Sequence, residues 1–176
     1  IRAMPKIREK IPNAKLVVLG LGDMRDYLEG LVHNLHLEDL VKFRFEFIPE
    51  EERIAHYAAC DVAAFPSLYE PFGIVTLEAM SMEKPVVVGA AGTSGMREIV
   101  SINGHDHCGF HINPNDPSDI AWGVVSALED PNKRIQLGKN GRKRVLEMFS
   151  WEEAAKATTD RYLELLAKKQ DEIPSV

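Results

Sequence analysis

Strand and helix signals alternate along this chain with little interruption, and that alternation restricts its folds more than any other feature. Lys15 to Gly20, "KLVVLG", is a short apolar run closed by glycine and predicts a buried strand. Asp61 to Phe65, "DVAAF", and Pro85 to Gly89, "PVVVG", read the same way, and Gly109 to Asn113 predicts a last strand. Val41, Phe43, Phe45 and Phe47 alternate with Lys42, Arg44 and Glu46, the period of a half-buried strand, so the three phenylalanines are expected in the core. Helices fall between. One ends within Ile1 to Glu9. One is capped by Asp23 and carries Met24, Tyr27, Leu28, Leu31 and Leu35 on one face. Pro49 and three following glutamates open another, because acids suit a first turn. Gly73 to Met82 and the shorter Met96 to Val100 come next. Pro117 to Leu128, Lys133 to Phe149 and Trp151 to Ala167 close the chain, with Trp151 expected to pack the last helix onto the sheet.

Short buried strands separated by helices imply βαβ units. The expected fold is α/β: a Rossmann-like three-layer domain with a mostly parallel sheet and helices on both faces. Residues 1–176 read as one ligand-binding domain, with 151–168 as its closing helix and the last three helices covering the faces and edge. Ligands of such open sheets lie beyond the carboxyl ends of the strands. Four segments fall there: Gly20 to Asp23, Phe47 to Glu50, Pro66 to Gly73 and Gly89 to Gly95.

Charge narrows the function. The net charge is −6, which argues against nucleic acid or an anionic membrane as the main partner. No apolar run approaches the ~20 residues of a membrane span. The opening "IRAMPKIREK" carries charges throughout and does not resemble a secretion signal. It also lacks an initial Met, so a piece of a longer, two-lobed protein is expected. Two cysteines, Cys60 and Cys108, make no disulfide scaffold and suit a reducing, cytoplasmic setting.

The chemistry concentrates in "YEPFGIVTLEAM", residues 69–80. Pro71 and Gly73 permit a sharp turn into a helix. Its first free N–H groups, roughly Phe72 through Thr76, then form an anion seat suited to phosphate. Glu70 stands at the lip and Glu78 more than a turn inside. A carboxylate repels phosphate but accepts hydrogen bonds from sugar hydroxyls. Acids on both flanks of an anion seat therefore describe a nucleotide-sugar, with Glu70 toward the transferred sugar and Glu78 toward the ribose. The plainer alternative is a glutamate satisfying a helix dipole beside an ordinary Pro-Gly loop.

Other clusters read as structural. His105, His107, Cys108 and His111 are crowded and lack a C-x2-C or H-x3-H pattern, so no metal site is expected. "GLGD" is not a full G-x-G-x-x-G fingerprint. Lys139, Arg142, Lys143 and Arg144 form a basic helix face without aromatic partners, the mark of a solvated surface.

"PSLYEPFGIVTLEAM" resembles the Glu-x7-Glu signature of retaining glycosyltransferases of the GT-B fold, the glycosyltransferase group 1 type that includes glycogen-synthase-like and sucrose-synthase-like families. In order along the chain, "AKLVVLGLGD", "HYAACDVAAFPS", "EKPVVVGAAGTSGMREIV", "INPNDPSDIAWGV" and "FSWEEAA" are similar to further stretches of that family's C-terminal, donor-binding lobe. The resemblance implies a residue-by-residue site. Glu70, taken as the catalytic residue, contacts donor-sugar hydroxyls. Phe72, Gly73 and Ile74 offer backbone amides to the sugar and diphosphate. Glu78 holds the ribose. Ile48, or its neighbour Phe47, packs on the nucleobase. Gly20 and Gly22 floor the cleft, and Thr93, Ser94 and Gly95 form a small-residue loop near the donor.

The implied substrate is a UDP-, ADP- or GDP-hexose, with no metal or other cofactor. Transfer, with retention, is to a glucan or sugar acceptor held by an N-terminal lobe. An Arg–Lys phosphate clamp from a preceding strand is implied as well, and neither is visible before Ile1; the isolated domain is expected to be inactive. The competing expectation is a non-catalytic nucleotide- or sugar-binding or assembly module. Three positions depart from the family pattern. Glu83 stands where glycine is usual, Ser94-Gly95 replaces a Gly-Gly pair, and a glycine is missing from the strand containing Phe45.

Overall fold

The computed structural model describes residues 1–171. Five short strands, β1 (Leu16–Leu19), β2 (Val41–Arg44), β3 (Ala63–Phe65), β4 (Val86–Gly89) and β5 (Gly109–Ile112), alternate with eight α-helices among these residues. The helices are α1 (Met4–Lys10), α2 (Arg25–Asn34), α3 (Glu50–Ala59), α4 (Ile74–Ser81), α5 (Met96–Ile99), α6 (Pro117–Leu128), α7 (Pro131–Met148) and α8 (Trp151–Asp171). A single 3₁₀ turn at Gly104–Asp106 precedes β5.

Every strand pair is parallel, as the βαβ pattern requires, but the strands form two sheets and not one. β1 pairs with β2, and β3, β4 and β5 pair in that order. Periodicity reports which faces of a strand are buried; it does not say which strand lies beside which.

β4 shows why "PVVVG" reads as a continuous apolar run. Val87 joins a core with Met4 and Ile7 of α1 and with Ala121, Val124 and Ala127 of α6. Val86 and Val88 point to the opposite core, with Ala79 and Met80 of α4, Met96 and Ile99 of α5, and Val145 of α7. Helices thus cover both faces, giving the three layers expected. β1 is covered on one face only: Leu16 and Val18 pack against the α1–α6 core, while Val17 is half exposed.

Several local expectations are corrected. Asp23 does not cap α2; Met24 occupies that position, with no side-chain cap, and Met24 and Tyr27 lie exposed. β2 ends at Arg44, because β1 offers partners only through Leu19; Phe43 and Phe45 stack, with centroids 4.6 Å apart, whereas Phe47 is 78% exposed. Trp151 does not pack α8 onto the sheet: it is 86% exposed, and α8 is exposed through Lys168. Only α6 and α7 of the last three helices therefore serve as cover. Glu83, where the family pattern has glycine, sits at φ 57°. That left-handed backbone explains why glycine is the commoner residue there.

Candidate functional site

The turn after β3 sets the first part of the site. Gly73 precedes α4 with φ 100°, and a Cβ there would lie 2.8 Å from Met96 Cγ, so both backbone and space demand glycine. No side chain caps the helix. Among the described residues, the N–H groups of Phe72, Gly73, Ile74 and Val75 meet no hydrogen-bond acceptor. Thr76, expected among the free donors, instead donates to the Gly73 carbonyl at 2.9 Å. The mouth of α4 is thus a set of unpaired amides at the positive end of a helix. Phe72 and Ile74 are exposed beside it, and the Phe72 ring stands edge-on to Phe149 at 6.3 Å. The Thr76 hydroxyl, just inside, is fully buried without a partner.

The loop after β4 clasps this turn backbone to backbone. Gly95 N–H donates to the Glu70 carbonyl at 2.8 Å, Glu70 N–H donates to the Thr93 carbonyl at 3.4 Å, and Glu70 and Ser94 form a parallel bridge. The buried Ser94 hydroxyl donates to the Gly89 carbonyl at 2.8 Å and pins the loop's root. A Cβ on Gly95 would fall 2.4 Å from the Pro71 carbonyl oxygen, and one on Gly89 2.2 Å from that of Ser67. Glu70 Cγ lies 3.4 Å from where a Cβ of Gly73 would stand. Glu70, Gly73, Thr93, Ser94 and Gly95 are therefore brought together at the α4 mouth.

The second part lies at the carboxyl ends of β1 and β2. A cavity of about 240 Å³ is lined by Leu19, Gly20, Leu21, Glu46, Phe47, Ile48 and Arg53, and a smaller one of about 140 Å³ beside it reaches Gly22. Ile48 is buried beneath the cavity, and Phe47 supplies exposed ring surface. Glu78 joins this part through Arg53: Arg53 Nε and Nη2 donate to Glu78 Oε2 and Oε1, each at 3.1 Å. Neither cavity includes Glu70, so the predicted residues fall into two groups. One comprises Gly20, Gly22, Ile48 and Glu78. The other surrounds Glu70 and Gly73. α4 spans them, with Gly73 at its start and Glu78 in its second turn.

Sequence reasoning missed Arg53 and Tyr57, the α3 side chains that face Glu78. Arg53 follows Glu50, Glu51 and Glu52 directly, within a run of charge that does not single it out. A pair 25 residues apart on two helices leaves no local signature. Burial, and then the charge of Glu78, raise the Tyr57 hydroxyl far above its ordinary range, so it remains a donor.

The remaining clusters are structural. His107 and His111 donate ring N–H bonds to the carbonyls of Gly109 and Val100, each at 3.0 Å. Cys108 is buried, and burial raises its thiol pKa. No group of three or more His, Cys, Asp or Glu side chains among the described residues is arranged to hold a metal ion. Arg144 donates to the carbonyls of Ile99 and Glu98, and Arg142 to that of Ser81, which accounts for much of the basic cluster. No helix of the described residues is long and apolar enough to cross a membrane.

Comparison with known proteins extends this geometry. The family model described as glycosyl transferases group 1 matches residues 1–144. An uncharacterized glycosyltransferase of Methanocaldococcus jannaschii, MJ1607, is 45% identical over 162 residues, covering 92% of this chain and 40% of that protein. Among solved structures, sucrose-phosphate synthase from Thermosynechococcus elongatus superposes with a TM-score of 0.79 at 32% identity, covering 95% of this chain and 42% of that one. Anabaena HepE in complex with UDP-glucose gives 0.72 at 26% identity, covering 95% and 44%. The chain spans about two fifths of the length of the curated relatives it matches.

Proposed function

The chain belongs to the glycosyl transferase group 1 family, and from that premise we propose that it is the donor-binding lobe of an enzyme that moves a hexosyl group from a nucleoside diphosphate sugar to an acceptor, with retention at the anomeric carbon. One observation carries this reading: the amides of Phe72 to Val75 stand unpaired at the mouth of α4, with Glu70 just before them in the chain and Glu78 in the second turn of the helix. A departing diphosphate needs its developing charge met, and a helix N-terminus contributes up to ~2 kcal/mol in a partly buried setting.

Each residue then has a role. Glu70, whose backbone is clasped by Thr93 and Gly95, accepts from hydroxyls of the transferred sugar. Glu78 accepts from the ribose. The nucleobase rests at the Phe47–Ile48 rim of the larger cavity. The small residues Thr93 to Gly95 allow the sugar close approach. UDP-glucose, the ligand named for HepE, makes a glucosyl donor the first candidate and a glucan or sugar the corresponding acceptor class. The acceptor, and the cations completing the diphosphate seat, come from other parts of the whole protein. Amides and side-chain cations suffice for the leaving group without a bound metal, so transfer should survive chelation of divalent ions.

Calorimetry with UDP-, ADP- and GDP-sugars tests the ribose role. Glu78→Ala is expected to weaken nucleotide binding about tenfold or more, the loss of a hydrogen bond to a charged group. Equal binding by both proteins sinks the assignment. Transfer by the intact protein carrying Glu70→Ala should fall steeply while nucleotide binding persists.

A further inference from the structure

Glu78 is tied to α3 by a geometry with a specific consequence. Arg53 meets it with two parallel bonds, Nε to Oε2 and Nη2 to Oε1, both 3.1 Å, and both side chains are partly buried. Such a fork fixes the plane of a carboxylate as well as its charge. A lysine, a point charge on a flexible stem, fixes only the charge. Arg53 is raised above its ordinary range, first by its hydrogen bond to Glu78 and then by that group's charge. The same guanidinium lines the larger cavity, so one side chain touches both the cavity and the carboxylate beside it.

The fork does not close Glu78 to a ligand. Each carboxylate oxygen has two lone pairs. The two bonds to Arg53 occupy one on each oxygen, and the Tyr57 hydroxyl stands against the same carboxylate as a further donor. The lone pairs that remain point outward from opposite sides of the carboxylate, so an open one suits a single hydroxyl.

We infer that Arg53 is a positioning residue of this site: it fixes the plane of the Glu78 carboxylate, so that a lone pair left open by the fork meets a hydroxyl of a nucleoside diphosphate's ribose. The inference rests on the ribose reading of Glu78 given above. A pair that merely tied α3 to α4 would affect stability and leave discrimination for the ribose hydroxyls untouched.

The test measures that discrimination on the intact protein, by calorimetry with UDP, GDP and ADP, each against its 2′,3′-dideoxy form. Wild type should prefer the ribose form of the best-bound nucleotide by about tenfold or more, the value of a hydrogen bond to a charged group. Glu78→Gln should reduce that preference to near unity. Arg53→Leu should lower it below about threefold; loss of its contact with the cavity weakens both forms alike and cancels in the ratio. Arg53→Lys should fall between, and Arg53→Leu combined with Glu78→Gln should lose no more than Glu78→Gln alone. If Glu78→Gln loses the preference while Arg53→Leu and Arg53→Lys keep it, the inference is overturned and the ribose reading stands. If wild type binds both forms equally, or binds none of the three nucleotides, the ribose reading fails and the inference falls with it. Should Arg53→Leu not fold, Arg53→Lys decides alone: a wild-type ratio overturns the inference, and a reduced one supports it.

Discussion

The two sheets are built to different standards. β3–β4–β5 is packed on both faces, and Val86, Val87 and Val88 of its central strand are essentially without solvent exposure. β1–β2 has a core on one face, and Val17 of β1 is 49% exposed on the other. The site divides along the same line. The α4 mouth and its clasp hang from the doubly covered sheet, where backbone positions are fixed by direct contact. The cavity hangs from the singly covered one, where Leu21 and Phe47 stand out into solvent. Rigid placement of amides and looser placement of an apolar rim suit a diphosphate and a base respectively, since charge stabilisation depends on fixed geometry more steeply than stacking does.

The sharpest way to break this contrast is to cut into each half. Met80→Ala, in the fully buried core beneath α4, is expected to cost about 2–5 kcal/mol. Val17→Ala should change stability by about 0.5 kcal/mol or less. Urea unfolding measures both, and similar losses would mean that the halves are equally packed. Next come the glycines at the two sheet ends. Gly89→Ala places a Cβ 2.2 Å from the Ser67 carbonyl oxygen and should cost about 1–3 kcal/mol. At Gly22 a Cβ meets nothing within 4 Å, so Gly22→Ala should stay within about 0.5 kcal/mol. A penalty at Gly22 equal to that at Gly89 removes the distinction.

The smallest effect concerns pH. His111 of β5 has its pKa lowered from 6.5, first by burial and, to a lesser degree, by Arg97, against a raising hydrogen bond to the Val100 carbonyl. The folded state therefore binds fewer protons at this site than the unfolded chain. Its contribution is complete above pH 6.5 and is lost as pH falls below that value toward the folded pKa. His111→Gln should flatten the decline of stability in that window; an unchanged slope assigns the decline to other groups.

How far all this is legible in sequence follows from the range of each signal. "PVVVG" reads as a strand buried on both faces because burial removes every polar position from the run. The turn at Gly73 is legible because Pro71 and Gly73 supply its dihedral angles themselves. Phe47 is not, since the alternation continues beyond the last residue for which β1 offers partners. Trp151 is not, because an apolar residue in a helical pattern names no neighbour to cover it. Asp23 has the chemistry of a cap, yet the chain enters α2 one residue later. The Arg53–Glu78 fork depends on how α3 and α4 lie together, which no local pattern records.

The backbone contacts at Gly89 and Gly95 also bear on descent. Where main chain presses on main chain, a lineage has no neutral step to take, and those loops should persist unaltered while sequence around them drifts. Leu21 and Phe47 bear no such constraint, because their side chains face water and support little of the core. If the base rests there as proposed, divergence in donor preference is funnelled toward that single rim, and libraries meant to retune it belong there.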